Sequence, residues 1–374
     1  MKIKKDLLAI IILTLSALFL GSCTSRVGAA SSWPGLSLSD ETAYISYAAQ
    51  TYAINLENGS LLWKFPAESD NGRQAYSPPQ FSDGSVVFGD YGGELVAVDA
   101  ENGTEKWTFS GAGDRYIAAV DFSQDSVYAP NSDGTVYALD MDGNLIWKFS
   151  TDGPNWTKPV SNEEFIYIAS MDHYLYAIDR NVSAASLVIA KDGSRTLLEE
   201  AVWTTDLGMA VVADPVLMDG VIYVATIEGV LSAVDADSGS ILWTFDDGGK
   251  LGAVWGAPVI MDPIVFVGDM NGNVYAIDRE NGKAYWPSPF SAGGKIVSAG
   301  AITEEGVVFA NDEGKLFLIN REKEPKTLYS FENAINSSIL VDGDNIIVAP
   351  ASEEGLLAAF NLEGFEVWSF LPNE

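Results

Sequence analysis

The residues able to do chemistry are few. The 374-residue chain holds one cysteine, Cys23, and one histidine, His173, against 52 acidic and 21 basic residues. A single Cys allows no internal disulfide and no multi-Cys metal cluster, and a single imidazole excludes a His-rich zinc or iron site. His173 has no neighbouring nucleophile and reads as a turn residue. Five aspartates recur at regular spacing: Asp99, Asp140, Asp179, Asp235 and Asp278. A converging ring of carboxylates would bind Ca²⁺, which takes about six to eight oxygens. Each of these, however, ends a short alternating strand just before a hairpin, where Asp bonds to its own turn backbone. Asp140-Met-Asp142-Gly-Asn144 and Asp269-Met-Asn271-Gly-Asn273 echo the start of an EF-hand loop and read as turns for the same reason. No serine-hydrolase, kinase or phosphate-loop motif occurs, and nothing singles out two carboxylates for glycoside hydrolysis. The formal charge of −31 disfavours phosphate backbones, which need a positive surface, so no nucleic-acid partner is expected.

The cysteine sits in a telling place. Lys2, Lys4 and Lys5 precede an apolar run from Leu7 to Leu20, long enough for a signal-peptide core but short of a membrane span of about 20 residues. Leu20-Gly21-Ser22-Cys23 then resembles the lipobox of bacterial lipoproteins. That resemblance implies a signal peptide over 1–22, cleaved before Cys23, and diacylglycerol on the Cys23 thiol. Each buried acyl CH₂ contributes roughly 0.8 kcal/mol, and two chains anchor stably. Residues 23–32, small and polar, are expected to form a lipidated flexible tether. The body is then extracytoplasmic, lipid-anchored to the cell membrane or the outer membrane. The absence of Asp after Cys23 permits onward transport, by the same resemblance. Removing 1–22, with three Lys and one Asp, takes the charge from −31 to −33.

The elements that must position the remaining residues come from one unit written eight times. A short strand closing on Asp or Asn recurs at Asn55, Asp99, Asp140, Asp179, Asp235, Asp278, Asn320 and Asn361. An aromatic follows these anchors: Trp63, Trp107, Trp147, Trp203, Trp243, Trp286, Tyr329 and Trp368, with only Trp203 displaced. Asn-Gly and Asp-Gly pairs mark hairpin turns between them. Each repeat reads as four short strands; in the sixth, Lys283 to Trp286 is the expected fourth strand. Such units, arranged radially, make an all-β, eight-bladed β-propeller of four-stranded antiparallel blades over 33–374. Burying about 150–250 Å² per ring makes inter-blade packing sufficient reason for the aromatics. The fourth repeat carries an insertion at about 181–201, within which Leu197 to Val202 alone suggests helical periodicity. The first repeat begins with its own inner strand and the last ends with its own outer strand, so no swapped closing strand is demanded. Trp33 is expected to pack across the seam, and the ring to be monomeric.

The A-(I/V/L)-D strand, the E-N-G or D-S-G turn and the outer-strand Trp together resemble the PQQ-type repeat, as in Tyr275-Ala-Ile-Asp-Arg-Glu-Asn-Gly-Lys-Ala-Tyr-Trp286. Two branches of that superfamily share it. Quinoprotein dehydrogenases bind PQQ and Ca²⁺ in the central funnel. Their adjacent cysteines are missing here, no stretch matches their metal-ligand or catalytic-base motifs, and neither cofactor is expected. The eight-bladed lipoprotein component of the bacterial outer-membrane β-barrel assembly machinery, with related PQQ-repeat lipoproteins, agrees in signal, lipobox, tether and blade number. That resemblance implies a non-catalytic, membrane-anchored scaffold or adaptor presenting loops to protein partners. The alternatives are a quinoprotein-like dehydrogenase and an extracytoplasmic ligand- or polysaccharide-binding module. Loops linking one repeat to the next rim the funnel and carry Arg73, Tyr76, Arg115, Tyr116, Trp156, Lys158 and Trp255. Basic residues beside aromatics on an acidic protein are what interface hot spots favour, so these form the candidate partner-binding rim.

Overall fold

The computed structural model describes residues 34–372 except 40, 70–72, 124, 181–186, 190–194, 198–200 and 351–354. The expected signal peptide, the tether, Cys23 and Trp33 lie outside the described residues. The rest forms eight antiparallel four-stranded sheets, one per repeat. Blade 1 spans 35–65, blade 2 80–109, blade 3 121–150 and blade 4 160–206. Blades 5 to 8 span 216–245, 259–291, 301–330 and 340–370.

The second strand of each blade is apolar on both faces, because each sheet is covered on both sides. Ser85–Gly89 is buried at every position. Val86 and Phe88 point into the core shared with blade 1, and Val87 into the core shared with blade 3. The same alternation around the ring yields eight apolar clusters, one between each adjacent pair of blades. No cluster belongs to a single blade, since one twisted sheet has nothing of its own to bury against.

The outer strand joins the third with a slip in register, between Ala53 and Ile54 in blade 1 and between Ala97 and Val98 in blade 2. Such a bulge re-aims side chains. The tryptophan beside it reaches the next blade, where its indole N–H donates to the carbonyl just after that blade's anchor. Trp63 bonds to Ala100 O at 2.8 Å, Trp107 to Met141 O at 2.9 Å and Trp203 to Ala236 O at 3.1 Å. Trp243 bonds to Arg279 O at 3.0 Å and Trp286 to Arg321 O at 2.8 Å. Trp368 of blade 8 bonds to Leu56 O of blade 1 at 2.7 Å and closes the ring. The turn glycine completes the lock. At Gly103 φ is +71° and an added Cβ would lie 2.8 Å from the Trp63 ring, so only glycine satisfies both the turn and the stacked indole.

Blades 1 and 8 are each built from contiguous sequence, with no exchanged strand. Four details differ from expectation. In blade 6 the outer strand is Phe290–Ser291, which pairs with Asn273 and Val274, and Lys283 to Trp286 keeps only an isolated bridge at Ala284. Pro287 and Pro289 lack the N–H that the ladder needs, so pairing resumes only after them. In blade 7 Lys326 stands opposite Leu318, in the place where other blades have Trp, and Tyr329 pairs with Leu316 further along. Its ring instead meets Phe360 of blade 8 at 4.5 Å, while Gly364 abuts the Leu328 carbonyl. The insertion holds its own hairpin, Leu187–Ile189 with Arg195–Leu197, and the latter strand lies beside Leu145–Ser150 of blade 3. Leu197 ends that strand, and no helix occurs in the described part of 197–202.

Candidate functional site

The hairpins joining second to third strands and the loops joining blades share one face. The anchors between third and outer strands are turn residues at the other end of each blade. Asp99 Oδ1 accepts from the backbone N–H groups of Glu101 and Asn102 at 3.1 and 3.2 Å. Asp235 accepts from the Ser238 hydroxyl at 2.6 Å and its N–H at 2.8 Å, which holds its carboxyl below the ordinary value. Among the described residues no group of three or more His, Cys, Asp or Glu could hold a metal ion.

On the rim, His173 adopts φ +84° at the turn position where Gly93, Gly134 and Gly272 have φ +83°, +81° and +81°. Beside these turns lies a position that sequence reasoning missed. The second strand ends on a small residue or proline, followed directly by a buried polar one: Gly89-Asp90, Pro130-Asn131, Ala169-Ser170, Ala225-Thr226, Gly268-Asp269 and Ala310-Asn311. Its side chain binds the hairpin backbone and, in several blades, the loop arriving from the previous blade. Asn311 Nδ2 donates to Ala292 O at 2.9 Å, while Asn311 Oδ1 accepts from the Lys315 N–H at 2.9 Å. The recurring small-then-polar pair was the available signal.

The candidate rim residues separate into three groups. Arg73 is an inward brace: it pairs with Glu94, lies 3.6 Å from the buried Asp90 carboxylate and stands over Phe65 at 5.9 Å. Tyr76, itself buried, packs tilted against half-buried Tyr91 at 5.0 Å and edge-on against Tyr47 at 6.5 Å, and exposed Arg115 stands over Tyr91 at 5.6 Å. That group is a cationic-aromatic patch across the loops of blades 1 to 3. Tyr116 does not join it. It is 1% exposed, pressed against Gly89 in the core between blades 2 and 3, and presents no surface to a partner.

Trp156, Lys158 and Trp255 gather at the axis instead. Trp156 and Trp255 line a central cavity of about 180 Å³, with Pro78, Asp214, Ser298 and Asn336 among its walls. The Trp156 indole N–H is held by Ser132 Oγ at 3.0 Å. Lys158 binds across the ring: its ammonium donates to Gln80 Oε1 of blade 2 at 2.9 Å and its backbone N–H to Asp214 Oδ1 at 2.7 Å. Ser161 donates to Asp121 Oδ2 at 2.6 Å, tying blade 4 to blade 3. Burial pushes both Asp121 and Asp214 above the ordinary carboxylate value, against the opposing pull of their hydrogen bonds and of Lys158. Among the described residues, Lys158 is the cation that acts on the Asp214 carboxyl at this wall.

These raised values have a consequence for stability. Their contribution is fully present below the unfolded-state pKa, about 3.9 for Asp, and is lost as pH rises through the folded-state value. Asp121→Asn keeps an acceptor for Ser161 but has no charge to bury. It is expected to stabilise the protein at neutral pH, with the gain shrinking to nothing in acid. Urea midpoints of both proteins at the two pH values measure it, and an equal gain at both would contradict this account.

The family model described as outer membrane protein assembly factor BamB matches residues 22–161 and again 132–370. Among solved structures, BamB from Moraxella catarrhalis aligns at a TM-score of 0.68 and 16% identity, over 87% of this chain and 92% of that one. The computationally designed Ika8 protein aligns at a TM-score of 0.69 and 17% identity, over 88% of this chain and 96% of that one. A search of curated proteins found no match. At these identities the structural likeness speaks for fold alone, and fold by itself does not commit a chain to one role.

Proposed function

Because the chain belongs to the outer membrane protein assembly factor BamB family, we propose that it is a non-catalytic scaffold that presents its rim loops to a protein partner in the assembly of envelope or outer-membrane proteins. In this reading Cys23 carries the lipid that anchors it, extracytoplasmically, to a membrane surface, and no cofactor takes part. The observation that carries the reading is the family match to both halves of the chain. Exposed Arg115 over Tyr91, backed by the buried Tyr76 ring, supports it, since aromatic and Arg side chains on a rigid rim are the usual anchors of an interface. A net charge of −33 without the signal would keep the ring off anionic headgroups, so that contact with partners is made through these loops.

The test is crosslinking in native membranes followed by identification of what is captured. An outer-membrane barrel-assembly protein is expected. Its yield should fall about ten-fold when Arg115→Glu and Tyr91→Ala are combined, as loss of two hot-spot contacts would give. Unchanged yield would remove the patch from the interface, and recovery of no assembly protein would overturn the role.

A further inference from the structure

The axial cavity has a composition that partner binding through the rim does not require. Its walls combine small apolar residues with two indoles, Trp156 and Trp255, and a single carboxylate, Asp214. Ser298, 6% exposed, also lines it, with no hydrogen-bond partner for its hydroxyl. The volume of about 180 Å³ is somewhat larger than the ~150 Å³ engineered cavity that accepts benzene. It therefore suits a molecule of several heavy atoms.

The charges nearby are unevenly shared. Asp121 has Arg180 as well as Lys158 near it and takes the Ser161 hydroxyl bond. Asp214, among the described residues, has only Lys158 to offset it, and that ammonium is already committed to Gln80. Deep in a protein, charges are kept where they are paired, and among the described residues the one cation acting on the cavity-wall carboxylate is an ammonium whose hydrogen bond goes to Gln80. A divalent metal is a poor candidate for the missing charge. Ca²⁺ would need about six to eight converging oxygens, and the cavity lining has one carboxylate, with Ser298, Ser338 and Asn336 as its other side-chain oxygens. Indoles attract organic cations electrostatically, most strongly when the site is shielded from water.

We propose that the central cavity binds a small organic ammonium ion, held between the Trp156 and Trp255 indoles with its charge against the Asp214 carboxylate. The Ser298 hydroxyl supplies a polar partner for a substituent on that ion. The proposal stands apart from the scaffold reading: it needs no partner protein and can fail or succeed independently.

Calorimetric titration of the full-length chain in detergent tests it, with choline as the cation and 3,3-dimethyl-1-butanol as its neutral isostere. Choline should bind saturably, and the isostere at least about ten-fold more weakly, the factor that 1.4 kcal/mol of charge interaction represents. Asp214→Asn should weaken choline about ten-fold, and Trp156→Leu or Trp255→Leu about five-fold each, within the range of single cation–π contacts. Equal binding of the two probes by the unmodified protein, or no saturable heat with choline up to about 100 mM, overturns the proposal. The comparison of probes does not depend on any variant folding. Unchanged choline affinity in a folded Asp214→Asn protein would overturn it as well.

Discussion

Replacing Trp368 by alanine is expected to cost about 3–5 kcal/mol, the usual range for truncating a buried indole, and to loosen the ring at one interface only. Trp368 is 7% exposed and lies in the cluster that joins Leu36, Ile45 and Ile54 of blade 1 to Ile347, Leu357 and Phe370 of blade 8. At the other seven interfaces the chain itself crosses from blade to blade, so lost packing there still leaves the neighbours tethered. At this one nothing covalent crosses, and closure rests on that cluster and on the Trp368 bond to Leu56. Trp286→Ala, at a similarly buried position, should cost a comparable amount globally. Hydrogen exchange separates the two. Only the Trp368 variant should lose protection selectively in Thr42–Tyr47 and Asn345–Val348, the second strands either side of the seam. Equal, uniform loss in both variants would mean that the seam is no weaker than its siblings. Trp368→Phe should retain most of the packing and lose about 1 kcal/mol for the hydrogen bond.

The second large effect lies on the rim. Asp269 is fully buried, and its two oxygens accept from three backbone donors: Oδ1 from Asn271 N at 3.0 Å and Asn273 N at 2.8 Å, Oδ2 from Gly252 N at 2.8 Å. The first two shape the hairpin of blade 6. The third pins the loop arriving from blade 5. Asp269→Ala leaves all three N–H groups without the partner they were built around, and orphaned buried donors cost about 1–3 kcal/mol each before relaxation. A net loss of about 3–5 kcal/mol is expected, measured as a shift in denaturation midpoint at constant m-value. Asp269→Asn is the informative companion. Its oxygen can keep the two hairpin bonds, but its NH₂ must then face the Gly252 N–H, donor against donor. About half the alanine effect should remain, with exchange protection lost at Gly252 and kept at Asn271 and Asn273. Equal effects of the two substitutions would show that hairpin and loop are not held separately.

How far the sequence could be read follows from these two sites. Trp368 and its siblings announce themselves because an indole soon after Ala-Ile-Asp or its variants, at nearly constant spacing in all but the fourth repeat, is a rare pattern repeated many times. The number of blades, the turn glycines and the absence of an exchanged strand follow from the same register. Asp269 was visible only as a turn motif. Its counterparts in other blades are Asp, Asn, Ser or Thr, because what recurs is an acceptor of backbone N–H groups rather than a residue type. Tyr116 looked like a rim aromatic from its place in a loop, but the loop dips under the rim and Gly89 leaves room for the ring. The Lys158–Gln80 bond joins residues 78 apart. A repeat pattern treats such residues as equivalents in different blades and has no way to show that they meet past the blade between them. The displaced outer strand of blade 6 was legible in Pro287 and Pro289, had the missing N–H groups been weighed against the tryptophan spacing.

Because every blade is complete in contiguous sequence and closure is made by side chains, the place where the polypeptide begins is topologically arbitrary. Joining the ends of the ring and cutting the loop between any two blades would still leave eight whole sheets and the same packed side chains at each boundary. A ring closed by a borrowed strand has one privileged blade that forms only when both ends of the chain are present. Here no blade holds that rank. The genetic order of the repeats is thus free of the geometry, and a unit of about 42 residues could be gained or lost at any boundary without stranding half a sheet.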